Sequence, residues 1–355
     1  MKITIGLSGG VDSSVAAYLL KEQGHEVTGL FMYNWEESDE NGVCSSEKDF
    51  EDVKKVCSIL NIPYYSVNFA KEYLDRVFSD FLKEYSQGRT PNPDVLCNRE
   101  IKFGPFLDYA LKLGAERIAT GHYCKVSEDS KKFYLEKAKD SNKDQTYFLN
   151  QLSQYQLSKT LFPLSDITKP EVRDIAKKLG LSTASKKDST GICFIGERKF
   201  KDFLKNYLPA KSGKIIDTEG NIIGTHDGLM YYTLGQRRGL GIGGINGSSG
   251  RWFVVDKDLK NNVLIVSCKD ESLLYSKALI TYSVNWIPEP PSDSFECKAK
   301  FRYRQEEQKV KVFKTDNGYR VDFFEKQRAV TPGQYVVFYD QNHCLGGGVI
   351  EEVIM

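Results

Sequence analysis

Gly6-Leu7-Ser8-Gly9-Gly10-Val11-Asp12-Ser13-Ser14 decides how the rest of the chain is read. It follows an apolar run, Ile3 to Leu7, and opens the helical pattern Val15-Ala16-Ala17-Tyr18-Leu19-Leu20. A strand, a glycine-rich turn and a helix in that order form an anion site. Backbone N–H groups of the turn converge, glycines let a phosphate approach the backbone, and the helix start carries partial positive charge. An ordinary βα turn is the competing reading. Against it stand two adjacent glycines bracketed by serines. A Walker loop needs G-x-x-x-x-G-K-[ST], and no lysine follows here; a dinucleotide fingerprint needs G-x-G-x-x-G, which Gly6, Gly9 and Gly10 do not fit.

The pattern that does fit, S-G-G-x-D-S over Ser8–Ser13, resembles the PP-loop of the ATP pyrophosphatase group. That resemblance implies ATP and Mg²⁺, with AMP transferred to an oxygen of the substrate. It implies Asp12 near the metal or the leaving pyrophosphate.

The chain has 355 residues, net charge +1, 40% hydrophobic and 27% charged residues. That length predicts two or three domains, and a near-neutral chain can meet a polyanion only through local basic patches. No apolar run approaches the roughly 20 residues of a membrane span, and no signal-peptide core forms before the glycine loop. A cytoplasmic protein, with no membrane partner, is expected. Its eight cysteines are then thiols rather than structural bridges. Without C-x-x-C, and with four histidines, a structural zinc site is not indicated.

From residue 1 to about 125, apolar strands alternate with helices, as in a parallel α/β sheet. Strands are expected at Val27–Met32, Tyr64–Asn68 and Ile118–His122. Helices are expected at about Asp49–Leu60 and Lys71–Tyr85, the latter with Leu74, Val77, Phe78 and Leu82 on one face. Ligands lie beyond the carboxyl ends of such strands, which places Met32 and Gly121 beside the nucleotide. The stretch Gly88-Arg89-Thr90-Pro91-Asn92-Pro93-Asp94-Val95-Leu96-Cys97-Asn98-Arg99 reads as a stiff loop, delivering Cys97 to a helix start near Asn98. A cysteine there, near Arg89 and Arg99, should have thiolate character; a small buried cysteine is the alternative. Residues 125–139 read as a hairpin, and Ser141–Thr146 as the cap of a helix with Tyr147, Phe148 and Leu149. A basic stretch, including Lys186, brackets the uncharged loop Asp188–Gly196 with Cys193.

Past about residue 205 the pattern becomes all-β. Hairpins are expected at 215–223 and 254–266. Gly239–Gly244 spells G-x-G-x-x-G but has no helix after it, and reads as a loop. Strands at Phe295–Tyr303, Lys309–Lys314, Tyr319–Phe324 and Gln334–Tyr339, with an Asn317-Gly318 turn, suggest a small barrel. The first of them alternates Lys298, Lys300, Arg302 and Arg304 with Ala299, Phe301 and Tyr303, which suits an RNA surface or a protected edge strand.

Adenylation makes a carbonyl oxygen a leaving group, and a cysteine persulfide is a nucleophile able to displace it. A second cysteine could then close a disulfide and leave the sulfur on the substrate. The motifs GLSGGVDSS, LFMYNWEE, GRTPNPDVLCNREIKFG, ATGHY, SNKDQTYFL, KKDSTGICFIGERKF, GLMYYTLGQRRGLGIGG, RYRQ and TPGQ make the chain similar to tRNA-specific 2-thiouridylases over nearly its whole length. The resemblance implies an α/β PP-loop domain of the adenine nucleotide alpha hydrolase type (1–204), a small central β domain (205–272) and a tRNA-binding C-terminal β-barrel (273–355). It implies 2-thiolation of the wobble uridine of tRNA. Gly6, Leu7, Ser8, Gly9, Gly10, Val11, Asp12 and Ser13 would hold ATP, with Met32 and Gly121 at the adenosine. Cys193 would carry a persulfide received from a sulfur-relay protein or cysteine desulfurase, Cys97 would form the transient disulfide, and Asp94 would serve as general acid or base. Asn92, Pro93, Asp94, His122, Lys143, Asp144, Gln145, Arg302, Tyr303 and Gln334 match family positions that touch tRNA. Three alternatives stay open: a PP-loop ligase acting on a small molecule, an ATP-regulated RNA-binding protein, and an iron–sulfur cluster held by Asp94, Cys97 and Cys193.

Overall fold

A computed structural model of the chain describes residues 1–35, 45–187, 200–242 and 251–355. The strand–turn–helix start forms as the pattern predicts: β1 (Lys2–Gly6), a turn, then α1 (Val11–Glu22). β2 (Glu26–Tyr33), α2 (Ser45–Leu60) and β3 (Tyr64–Asn68) follow. The next helical stretch runs as α3 (Ala70–Tyr73), a π-helical turn (Leu74–Phe78) and α4 (Ser79–Ser86). The wider turn rotates the helix face. Tyr73, Val77, Phe81 and Tyr85 are buried, whereas Leu74, expected on the apolar face, is 47% exposed.

A second expectation also fails. The helix after the proline loop begins at Pro93, as α5 (Pro93–Cys97), and not near Asn98. Proline is acceptable at the first helical position because that N–H has no intrahelical partner, and the Asn92 side chain caps the turn by accepting from Val95 N at 3.4 Å. Cys97 therefore closes a helical turn instead of opening one. A second π-helical segment (Asn98–Lys102) and α6 (Pro105–Lys112) lead to β4 (Arg117–Ala119). That strand stops two residues short of Gly121.

β5 (Cys124–Asp129) and β6 (Lys132–Lys137) form the expected hairpin. A short 3₁₀ turn (Thr146–Leu149) follows, then α7 (Gln154–Ser158), β7 (Thr160–Leu161) and α8 (Lys169–Lys178). The parallel sheet has the order β3-β2-β1-β4-β7, so the chain leaves β1 toward β2 on one side and returns to β4 on the other. The crevice at the carboxyl ends of β1 and β4 is the switch point where ligands bind in such sheets.

After α9 (Phe200–Lys205) a four-stranded sheet is built from β8 (Gly213–Asp217), β9 (Ile222–His226), β10 (Phe253–Asp258) and β11 (Val263–Ser267). The last domain contains β12 (Tyr275–Thr281), β13 (Val284–Trp286), β14 (Ser294–Lys300), β15 (Gln308–Thr315), β16 (Gly318–Arg328), β17 (Tyr335–Asp340), β18 (His343–Val349) and β19 (Glu352–Ile354). β14 ends at Lys300, before the expected limit of Tyr303, although Ala299 and Phe301 are buried and Arg302 and Arg304 exposed. The β5–β6 hairpin joins this ten-stranded sheet through Cys344↔Leu135 and His343↔Glu136. No described helix is long and apolar enough to cross a membrane.

Candidate active site

The turn after β1 is closed by its own hydroxyls. Ser13 Oγ accepts from Ser8 N at 3.2 Å and donates to Gly10 O at 3.1 Å, while Ser14 Oγ donates to Gly10 O at 2.8 Å. Gly9 sits at φ +70°, the left-handed region that favours glycine, and a Cβ there would lie 2.5 Å from Asp49 O. No side chain caps the first turn of α1, which leaves that turn's N–H groups for an anion. The residues expected at the adenosine arrive at the same place. A Cβ on Gly121 would stand 2.7 Å from Ser13 N, so the chain after β4 lies directly against the loop. The Met32 Cε lies 3.8 Å from where a Cβ on Gly6 would be.

Two lysines far along the chain reach this loop. Lys169 Nζ donates to both carboxylate oxygens of Asp12, at 2.6 and 2.7 Å, and Tyr123 Oη donates to Asp12 Oδ1 at 2.7 Å. Lys186 Nζ donates to Gly9 O at 2.9 Å and pairs with Asp49 and Asp52 at 2.7 and 2.8 Å. The sequence reading placed Lys186 in the basic stretch that brackets the Cys193 loop and did not single out Lys169. The lysine at the first position of a helix and the Thr168 capping box before it were the available local signal.

Cys97 ends α5, the helix that Asn92 caps and that carries Pro93 and Asp94. It is 2% exposed, and burial pushes its thiol up to about 11, with Lys102 pulling it down and Asp94 pushing it further up. This corrects the thiolate expectation. Arg89 and Arg99 do not offset the burial, being committed to Glu84 and Glu351 and to Glu100. Cys193 and its loop lie outside the described residues, so its position relative to Cys97 does too. The six described cysteines are free thiols.

Lys102 also bears on His122. That ring packs between Phe103 and Phe162 at 6.1 and 6.2 Å and shares a 2.8 Å hydrogen bond with Thr120 Oγ1. Burial first, then Lys102, holds it well below the usual histidine range, hence neutral at pH 7. Beside it, Gln145 is used internally, its Oε1 accepting from Tyr123 N at 3.0 Å. Asp144 is 6% exposed; it accepts from Ala138 N and Thr146 Oγ1, and burial raises its pKa. Lys143 is half-buried on the turn before them. Tyr303 packs on Phe148 at 4.4 Å, while Arg302 is exposed. Gln334 donates from Nε2 to Thr90 O at 2.8 Å and Pro91 O at 3.2 Å, tying the barrel to the proline loop. Asn98, not singled out in the sequence, is 3% exposed; it donates to Phe148 O at 3.0 Å while its own Oδ1 has no partner.

Comparison with known proteins decides the family. A family profile described as "tRNA methyl transferase HUP domain" matches residues 1–197, "tRNA methyl transferase PRC-barrel domain" matches 201–268, and "Aminomethyltransferase beta-barrel domain" matches 276–350. The tRNA-specific 2-thiouridylase MnmA of Alkaliphilus oremlandii (strain OhILAs) is 60% identical over 99% of this chain and 98% of that protein. The chain belongs to the tRNA-specific 2-thiouridylase family. Another thiouridylase, MnmA 1 of Geobacillus kaustophilus (strain HTA426), is 58% identical over 99% of this chain and 96% of its own. Among solved structures, the U34-tRNA thiolase NcsA of Methanococcus maripaludis is similar at 23% identity, over 55% of this chain and 62% of that one, with a TM-score of 0.36. In this thiouridylase-family chain the glycine loop, Gly121 and Lys169 thus meet at one end of the parallel sheet.

Proposed function

We propose that this protein replaces the C2 oxygen of the wobble uridine of tRNA by sulfur, in an ATP-dependent reaction. The observation that carries the reading is the convergence of the glycine loop and Gly121 at the switch point of a parallel sheet, in a chain that matches thiouridylases end to end. Methyl transfer, the wording of the profile descriptions, has no need of a loop built to hold phosphates.

The uncapped turn of α1 and Gly9 would cradle the triphosphate, with Lys186 bracing the loop from Gly9 O. Lys169 is the cation nearest the loop carboxylate, placed to exchange Asp12 for phosphate oxygens as ATP enters. Mg²⁺ bound to the nucleotide would neutralise charge on the leaving pyrophosphate. Asp12 is the carboxylate available to it; among the described residues no group of three acidic, histidine or cysteine side chains forms a ready cage.

The uracil C2 oxygen attacks the α-phosphorus, and pyrophosphate leaves. The terminal sulfur of a Cys193 persulfide, supplied by a sulfur-relay protein or a cysteine desulfurase, attacks C2, and AMP departs with the oxygen. Cys97 then attacks Cys193 Sγ; the sulfur–sulfur bond to the substrate breaks, a Cys97–Cys193 disulfide forms, and a dithiol reductant resets it. Asp94, one turn before Cys97 on the same helix, would act as the general base that takes the thiol proton. His122, Arg302 and Tyr303 offer a neutral imidazole, a cation and a ring to the RNA.

The test is thiolation of unmodified tRNA with ATP and a persulfide donor, read as 2-thiouridine by mass spectrometry, beside Cys97→Ser and Cys193→Ser. Product with the parent alone supports the reading. Activity that survives Cys97→Ser, or pyrophosphate release that ignores tRNA, overturns it. An iron–sulfur cluster held by Asp94, Cys97 and Cys193 is the second chemistry, and visible absorbance of anaerobically purified protein would replace the persulfide route by it.

A further inference from the structure

The segment between α4 and α5 carries no regular structure of its own, and it is fastened from outside. Thr90 N donates to Pro332 O at 3.0 Å, Gln334 donates to Thr90 O and Pro91 O, and Thr90 Oγ1 lies 3.3 Å from Thr233 Oγ1. Gly333 stands at φ +91°, and a Cβ there would be 3.0 Å from the N, C and O atoms of Thr90. One residue of the proline loop thus touches both β domains. Beside it, Arg89 binds two carboxylates from different domains. Its Nε donates to Glu84 at 2.7 Å and its Nη1 to Glu351, just before β19, at 2.6 Å, while Nη2 reaches Ile350 O at 3.3 Å. The three side chains are 20%, 17% and 26% exposed. At that exposure a forked arginine with two carboxylates is well shielded from water and salt.

Pro91 and Pro93 fix φ at alternate positions, so the segment from Arg89 to the start of α5 transmits a displacement instead of absorbing it. We propose that Arg89 is a positioning residue for thiolation: through Glu351 it fastens the Thr90–Asp94 segment, with Cys97 behind it, to the C-terminal barrel, so that the barrel sets the geometry of the target-base pocket. What the pocket binds rests on the thiouridylase reading; the fastening does not. The geometry gives the barrel a part in the chemical step, beyond any part in holding RNA.

The experiment uses the full-length protein and the substitutions Glu351→Gln and Arg89→Lys. The first keeps size and removes the barrel's charge; the second keeps the cation and removes the fork. Two quantities are read: the rate at which N-ethylmaleimide labels Cys97, followed on its own peptide by mass spectrometry, and the kcat and KM for tRNA thiolation. Both variants should label Cys97 about tenfold faster, the fold-change that follows loss of one charge-assisted hydrogen bond. They should lower kcat by a comparable factor, with KM for tRNA and the affinity for ATP unchanged. Parental labelling rates in both folded variants overturn the proposal. So does a rise in KM with labelling unchanged, because Arg89 and Glu351 would then belong to the RNA surface. Should either variant fail to fold, the other decides on the same two readouts. Faster labelling in a protein whose parent makes no thiouridine would leave the fastening standing and remove the thiouridylase reading instead.

Discussion

Cys97 is 2% exposed and its thiol is pushed up to about 11, so at pH 7 it is a protonated side chain in a packed core. A pKa four units above ambient leaves about one thiolate in ten thousand molecules. Its alkylation rate should therefore climb about tenfold per pH unit from 7 to 10, with no plateau below 8, since only the thiolate reacts. A pH series of maleimide labelling, read on the Cys97 peptide, tests this, and a plateau near pH 7 would restore the thiolate. Sequence reasoning erred at this residue for a definable reason. It read both prolines as part of a loop running on to a helix start near Asn98, whereas Pro93 is the first residue of α5. One turn of helix moves Cys97 from the electropositive start to the buried end. The glycine loop was legible because the hydroxyls that close it lie within nine residues: Ser13 closes on Ser8 and Gly10, and Gly9 takes the left-handed turn. Lys169, 157 positions from Asp12, carries no comparable local mark.

The elements show the same division between local and distant causes. β3 and the hairpins at 213–226 and 253–267 fall where alternation and turn residues put them. The helix from Ala70 to Ser86 was legible as a helix, and Val77, Phe78 and Leu82 of its expected face pack on the core; Leu74 does not, because a period of 3.6 cannot anticipate a π-helical turn. β10 carries the charge whose burial matters at this scale. Lys257 donates to Gly88 O at 2.8 Å, bringing the central domain against the start of the proline loop, and burial pushes its pKa down to about 8. Below pH 8 both folded and unfolded chains hold the proton, and the folded state bears the full burial penalty. Between 8 and 10.5 the unfolded chain binds a proton that the folded chain does not, so this group's contribution to stability rises with pH and levels off above 10.5. Lys257→Met should remove that rise. At about 1.4 kcal/mol per pKa unit, the parent should gain a few kcal/mol at most across the window relative to the variant. Urea midpoints of the two proteins at pH 7.5 and 10 measure the difference, and parallel pH profiles would assign the buried charge elsewhere.

At the scale of the whole molecule, the boundaries of the sequence motifs are not the boundaries of packing. One apolar cluster runs from Leu30, Phe81, Phe106 and Ile118 of the first domain to Ile287, Tyr335, Val337 and Tyr339 of the barrel. The β5–β6 hairpin completes the barrel's sheet from a position early in the chain, and Tyr147 Oη donates to Tyr335 O at 3.0 Å across the same junction. None of this was legible beforehand, because a hairpin signals its own turn but not the sheet it will join. The central domain differs. Its core of Ile215, Ile223, Val254, Leu264 and Val266 is a separate cluster, and its four strands form a sheet of their own. Cooperative unfolding follows shared apolar burial and not the order of the chain. The α6 side of the first domain and the barrel should therefore lose protection as one unit, while the central sheet opens independently. Hydrogen exchange against rising denaturant is the measurement: amides of α6, whose Phe106, Leu107 and Ala110 lie in the shared cluster, and of β17 should have a single opening free energy, with those of β11 following a different one. If α6 separates from β17, the common core does not bind the two domains, and the barrel's hold on the proline loop would rest on Arg89, Thr90 and Gln334 alone.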